Sequence, residues 1–232
     1  MEVIWQGFID ALKIIFRLDP EVFGILFLSL KVTGTAALIA MVIGMPIGTL
    51  VGLAQFRGRK LFITLVNTGM GLPPVVVGLF VFLLLSRYGP FGALEILYTP
   101  SAMVIAEVII ATPLVTGVTI AAIQALDPKL VLQILSLGAN WWQLFWTLVR
   151  EARLSMLAAI AAGFGAIISE IGAVLMVGGN IKGYTRVLTT AIVLETRQGN
   201  ISMAIALSII LLTLAFMINW AFTTVQQRRG LR

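Results

Sequence analysis

The chain is 232 residues long, 59% apolar and only 11% charged, with a mean hydropathy of +1.05. That apolar share exceeds what a water-soluble domain carries and marks an integral membrane protein. Its formal charge is +6 and it has neither Cys nor His, which removes disulfides, thiol chemistry, imidazole acid–base work and the usual transition-metal ligands, and argues against metal-centred or Ser/His catalysis. The apolar runs exceed the ~20 residues a spanning helix needs and lack the period-two pattern of an outer-membrane strand. The fold class expected is all-α, a polytopic membrane helical bundle.

Residues 1–16 carry Glu2, Asp10 and Lys13 inside an apolar pattern and show no small-residue cleavage site, which argues against a removable signal peptide. Residues 1–20 read as an amphipathic interfacial helix with Trp5 and Phe8 as anchors. Asp19-Pro20-Glu21 has the form of a helix start: an Asp cap, Pro at the first helical position and an acid in the first turn. Five spans follow, at about 22–54, 61–86, 101–125, 154–177 and 201–225. The segment 127–153 between the third and fourth is too polar to span and is rich in aromatic residues around Gly138.

Several spans are irregular. The first contains Gly44-Met45-Pro46-Ile47-Gly48, the second Gly69, Gly71 and Pro73-Pro74, and the third Pro113; each Pro removes a donor and bends or breaks its helix. Pro and Gly are common in membrane helices, but broken helices near the midplane are also where transporters place their pathways, so Pro73, Pro74 and Pro113 are candidates for a pathway or gate. Thr112, Thr116 and Thr119 offer that route weak hydroxyl donors if they face it, or else bond their own backbone. Lys31 can snorkel to the outer interface. Glu107 and Glu170 sit deeper, where a carboxylate costs about 2.5–3.5 kcal/mol even on lenient insertion scales, so each needs protein, water or a proton, as a gate or as a packing contact. Gly163, Gly165 and Gly172 would let a facing helix approach Glu170 closely near a dimer axis.

Orientation follows from the bases. One side of the five-span arrangement carries nine: Arg57, Arg59, Lys60, Lys129, Arg150, Arg153, Arg228, Arg229 and Arg232. The other carries six: Lys13, Arg17, Arg87, Lys182, Arg186 and Arg197. The nine-base side is expected in the cytoplasm, with the N-terminus outside and the C-terminus inside. The positive charge is thus a topology signal, dispersed at span ends, and no nucleic acid is expected as partner.

Taken together, the five spans and the segment DPKLVLQILSLGANWWQLFWTLVREARLSML resemble the permease subunit of ABC importers, specifically the molybdate/tungstate oxyanion group. GLPPVVVG (71–78), SEIGA (169–173) and GYTRVLTT (183–190) match locally, the last resembling the family's Gly-x-Thr-Arg stretch with Thr185 and Arg186 in an outer loop. YTPSAMVIAE and DPKLVLQILSLGA look most like tungstate-specific members. The resemblance implies a type I importer permease fold over 21–232, in a prokaryotic inner membrane. It implies a coupling loop at 127–153 that docks an ATPase through Gly138, Ala139, Asn140, Trp141 and Trp142. The family's Glu-Ala-Ala is replaced here by Val131-Leu132-Gln133, and its Leu-Pro by Arg150-Glu151, so Arg150 or Glu151 is a candidate for the missing polar contact. Without the resemblance, Trp141, Trp142 and Trp146 read as headgroup anchors.

No Gly-x-x-x-x-Gly-Lys-[Ser/Thr] occurs in the chain, so ATP and Mg belong on a separate ATPase subunit and the chain is read as a transport subunit with no catalysis of its own. The partners implied are a dimer of ATPase subunits, an extracytoplasmic substrate-binding protein, a second copy of this chain, the lipid bilayer and an oxyanion, tungstate or molybdate. The alternatives are an ATP-independent secondary transporter or channel with Glu107 and Glu170 as a proton relay, and an assembly scaffold.

Overall fold

The computed structural model describes residues 19–230, the side chains of 228–230 excepted, together with Trp5, Phe8, Ile9, Leu12, Lys13, Ile15, Phe16 and Arg17. The rest of the expected interfacial segment lies outside the described residues, as do Arg232 and the side chains of Arg228 and Arg229; the rings of Trp5 and Phe8 stack with centroids 6.1 Å apart.

Pro-led caps begin three of the helices. Asp19 Oδ1 accepts from Glu21 N at 2.8 Å and opens α1 (Pro20–Leu53), Thr99 Oγ1 accepts from Ala102 N at 3.5 Å and opens α4 (Pro100–Gln124), and Asp127 Oδ1 accepts from Lys129 N at 2.9 Å and opens α5 (Pro128–Ser136). In each, Pro fills a position whose N–H would have no helical partner. Between them lie α2 (Arg59–Met70), α3 (Pro74–Leu85) and a short 3₁₀ turn (Gly92–Leu94); α6 (Trp141–Glu151), α7 (Arg153–Ile168), α8 (Gly172–Gly178), α9 (Leu188–Arg197) and α10 (Ile201–Gly230) complete the chain. Among the described residues every regular element is helical.

Three helices, α1, α4 and α10, are long and apolar enough to cross a membrane, and the number rises to five if two bent pairs are each one span. The axes of α2 and α3 turn by 98° and those of α6 and α7 by 70°. Two expectations need correction. The proposed span 154–177 is no continuous helix: α7 stops at Ile168 and α8 restarts at Gly172. Pro46 and Pro113, by contrast, interrupt neither α1 nor α4. One missing donor is tolerated there because the two helices pack along their length, Ala36 and Ala40 of α1 meeting Ala111 and Val115 of α4 with Ile167 of α7.

Glycine sets that seam. Cβ atoms added at Gly44, Gly48 and Gly52 of α1 would lie 3.0 Å from Val115, 2.6 Å from Thr119 and 2.8 Å from Ile123 of α4, so two ladders of four-residue spacing interlock at backbone distance. At one end of the bundle Val32, Val77, Val81, Met103, Val174 and Val177 form one core, and at the opposite end Ala122, Ile123, Leu144, Leu148 and Met156 form another. Helices α9 and α10 close over α1 through Val22, Ile25, Leu188, Ala191 and Leu207. Leu212, Phe216, Met217 and Trp220 of α10 stay exposed, as lipid-facing residues do.

Candidate functional site

Two breaks in the bundle meet. Helix α2 ends through Gly71 N and Leu72 N, which donate to Thr68 O and Gly69 O. Pro73 then takes an extended conformation (φ −60°, ψ 122°) and Pro74 opens α3, as expected where two prolines deny the helix two donors. The second break is Ser169-Glu170-Ile171. Ser169 Oγ turns back onto Gly165 O, Glu170 Oε1 accepts from Ala173 N at 3.1 Å as a cap for α8, and Thr189 Oγ1 donates to Glu170 O at 2.9 Å. Both breaks line one cavity of about 260 Å³, which Ile110 and Leu114 of α4 and Ala166 of α7 also bound.

The structure therefore brings Pro73, Pro74 and Glu170 together. Pro113 stands behind them, its ring 2.8 Å from where a Cβ on Gly69 would lie. The three threonines are placed differently: Thr112, Thr116 and Thr119 each donate to the carbonyl four residues back at 2.7 Å, and Thr116 and Thr119 are buried in the α1–α4 seam. Of the two roles open to them, backbone bonding is the one observed.

Glu107 is 2% exposed. Its Oε1 accepts from Thr33 Oγ1 at 3.4 Å, and its Oε2 has no partner among the described residues. It shares with Ser29, Thr33, Glu170 and Thr189 a cavity of about 10 Å³, the size that one water needs. The two acids thus differ in kind: Glu107 is sealed off from the larger cavity, whereas Glu170 reaches it but binds a helix N-terminus. Of the glycines near Glu170, Gly163 packs on Val115 and Gly172 on Val75 within this chain, while Gly165 faces open space.

At the other end of α4 the segment 127–151 folds as a helix hairpin. Gly138 takes φ +78°, a conformation Gly adopts without penalty. Its N–H donates to Leu135 O and that of Ala139 to Ile134 O, the paired bonds of a Schellman stop. Asn140 restarts the chain: its Oδ1 accepts from Gln143 N at 2.9 Å and Gln143 Oε1 accepts from Asn140 N at 2.8 Å, a capping box. Leu144 and Leu148 bury one face of α6, leaving Trp141, Trp142 and Trp146 exposed beside Leu132, Leu135 and Leu137. Phe145 meets Trp142 and Trp146 edge-on. Arg150 and Glu151 end α6 on the exposed side.

The third polar region is the loop 179–187. Thr185 is buried, its Oγ1 donating to Gly178 O at 2.5 Å and accepting from Ile181 N at 2.9 Å. Arg186 lies 3.7 Å from Glu21 on α1, and Lys182 Nζ lies 2.8 Å from the same carboxylate. Sequence reasoning named Thr185 and Arg186 but missed Glu21, Lys182 and Ser29, whose Oγ accepts from Leu188 N at 2.8 Å at the start of α9. No local pattern ties residues 159 positions apart. Lys31 is exposed beside the first turn of α4, in a cavity with Pro100 and Ser101.

Comparison with known proteins places this geometry. The family described as "Binding-protein-dependent transport system inner membrane component" matches residues 44–230. The chain is 39% identical over 227 residues to the tungstate uptake system permease protein TupB of Peptoclostridium acidaminophilum, covering 98% of this chain and 100% of that protein. It is 33% identical over 220 residues to the protein of the same name from Campylobacter jejuni, covering 95% and 92%. In structure it is similar to a chain of the MetNI methionine ABC transporter in an inward-facing conformation, with a TM-score of 0.69 over 93% of this chain and 97% of that one. At 17% identity this likeness shows the fold alone.

Proposed function

The chain belongs to the family of inner membrane components of binding-protein-dependent transport systems, and we propose that it is the permease subunit of an ATP-driven importer of tungstate. The observation that carries this reading is the junction where the α2–α3 and α7–α8 breaks line one cavity. Irregular backbone at such depth is tolerated only where protein or a water-filled cavity covers it, and discontinuous helices at the midplane are what a translocation route is built from. The relatives named for tungstate uptake support the choice of oxyanion over a cationic or neutral cargo.

In this reading two copies of the chain enclose the route. An extracytoplasmic binding protein delivers the dianion to the end bearing the α1 start and the loop 179–187. ATP and Mg are bound by a separate pair of ATPase subunits, which dock on the exposed face of the α5–α6 hairpin: Gly138 shapes the turn, Ala139 and Asn140 carry it into α6, and Trp141 and Trp142 supply rigid contact area. Arg150 and Glu151 add polar contacts there. Closure of the ATPases shifts the hairpin, and because α6 shares a buried core with the end of α4 and the start of α7, the movement reaches the junction through packed helices. Selectivity rests with the binding protein, since a route that gripped a dianion tightly would not release it. Glu170 acts by holding α8 in place.

Proteoliposomes containing this chain, its ATPase and its binding protein test the reading. ATP-dependent accumulation of tungstate, with molybdate and sulfate as competitors, is expected. Uptake without the ATPase, driven by a proton gradient and lost on changing Glu107, would replace it with a secondary transporter; a stable complex with no flux would indicate a scaffold.

A further inference from the structure

Arg186 is a cation held largely out of water without a hydrogen bond for its inner nitrogen. Its side chain is 13% exposed, Nε is buried with no partner among the described residues, and Nη1 stands 3.7 Å from Glu21 Oε1, beyond hydrogen-bond reach. A guanidinium left this way is costly, yet the chain on both sides is built to keep it there. Tyr184, Thr185 and Arg186 all donate their backbone N–H to Ile181 O, Thr185 Oγ1 bridges Gly178 and Ile181, and Leu188 N is fixed on Ser29. The guanidinium borders a cavity of about 320 Å³, whose charged walls are Arg186, Lys182 and Glu21.

We propose that this cavity is a transit site for a tetrahedral oxyanion, bound between the Arg186 guanidinium and the Lys182 ammonium, with Glu21 as the resident carboxylate that the oxyanion displaces. A carboxylate and an oxyanion offer the same acceptors, and a planar guanidinium fork suits either. Two cations facing one carboxylate leave a positive charge uncompensated. Glu21 is the removable member: it stands in the first turn of α1 with 39% of its side chain exposed, so it can turn out to water. Lys182, 67% exposed, meets the anion first, and Arg186 behind it takes the anion as Glu21 leaves. Competition from Glu21 keeps the affinity low, which a site on a route requires. This rests on the oxyanion-importer reading.

The test is calorimetric titration of tungstate, and separately of sulfate, into the full chain assembled with its ATPase in phosphatidylcholine nanodiscs without the binding protein. Weak binding is expected for the natural chain. Arg186→Gln should weaken it about tenfold or more, as loss of one charge-assisted hydrogen bond does, and Arg186→Lys should fall between. Glu21→Gln should tighten it by about the same factor, because the competing charge is gone. The proposal is overturned if the natural chain binds neither anion, if both Arg186 variants bind as the natural chain does, or if Glu21→Gln brings no gain; Glu21→Gln that only lowers the unfolding temperature makes the cluster a staple between α1 and the loop. Repeating the titration with phosphatidylglycerol in the disc separates a free oxyanion from a lipid phosphate, and competition by that lipid at Arg186 would also overturn it. Arg186-dependent binding in a protein that fails to accumulate tungstate would defeat the transport reading and spare the site. Uptake without such binding would defeat the site alone.

Discussion

Gly48→Ala is expected to loosen the bundle far more than one methyl group suggests. The added Cβ would lie 2.6 Å from Thr119 Cβ and 2.7 Å from the Thr116 carbonyl oxygen. The second neighbour is backbone, so no rotamer change relieves it, and α1 and α4 must separate along a seam that includes Gly44 and Gly52. Overpacking of this kind costs about 1–3 kcal/mol. The control is on the same helix: a Cβ at Gly34 meets nothing within 4 Å, so Gly34→Ala should be neutral or stabilising by up to ~1 kcal/mol through helix propensity. Because both variants gain the same helix propensity, denaturant unfolding in bicelles should separate them by about 1–3 kcal/mol, the overpacking cost alone. Thr119→Gly in the Gly48→Ala background removes one of the two close neighbours and should recover only part of the loss, a coupling that a double-mutant cycle reads directly. Equal stability of Gly48→Ala and Gly34→Ala would refute the seam.

Trp142→Ala and Trp146→Ala remove exposed rings, so unfolding should move by less than about 0.5 kcal/mol, while affinity for the ATPase subunit falls tenfold or more as for interface aromatics; unchanged affinity would return these rings to the headgroup belt. Thr185→Val keeps the shape but deletes the bonds to Gly178 O and Ile181 N, and should raise amide exchange across 178–187 with a loss of about 1–3 kcal/mol; protection equal to the natural chain would show that other contacts hold the loop. Glu170→Gln retains an acceptor for Ala173 N and should leave ATP-driven uptake nearly unchanged, whereas Glu170→Leu should abolish it; loss with Gln alone would give the charge a direct role. In this Cys-free chain, Cys at Gln55 should be labelled only from the cytoplasm and Cys at Tyr88, 99% exposed, only from outside, and the reverse pattern would overturn the orientation.

What could be read from the sequence is what short-range physics decides. The Asp19-Pro20 start of α1 and the break at Pro73-Pro74 depend on backbone donors within a few residues of one another, and both are found where local chemistry predicts them; Asp127-Pro128 and Gly138 use the same short-range chemistry at the two ends of α5. The all-helical membrane fold follows as directly from the long apolar runs, because lipid offers backbone groups no partner outside the helix. The α7–α8 break was not legible: SEIG contains no Pro, and the carbonyl freed at Glu170 is matched by a hydroxyl 19 residues on. Pro113 misled in the other direction, since an unbroken α4 is held by its contact with α1. Gly44 and Gly48 looked like irregularity and, with Gly52, are a packing ladder, because a missing Cβ means flexibility alone and close approach once another helix supplies the opposing side chains. The sequence by itself determined where helices can start and stop and which class of protein they make; only the tertiary structure decided which weak points break, which seal, and which charged groups face one another, because those outcomes depend on partners that chain separation hides.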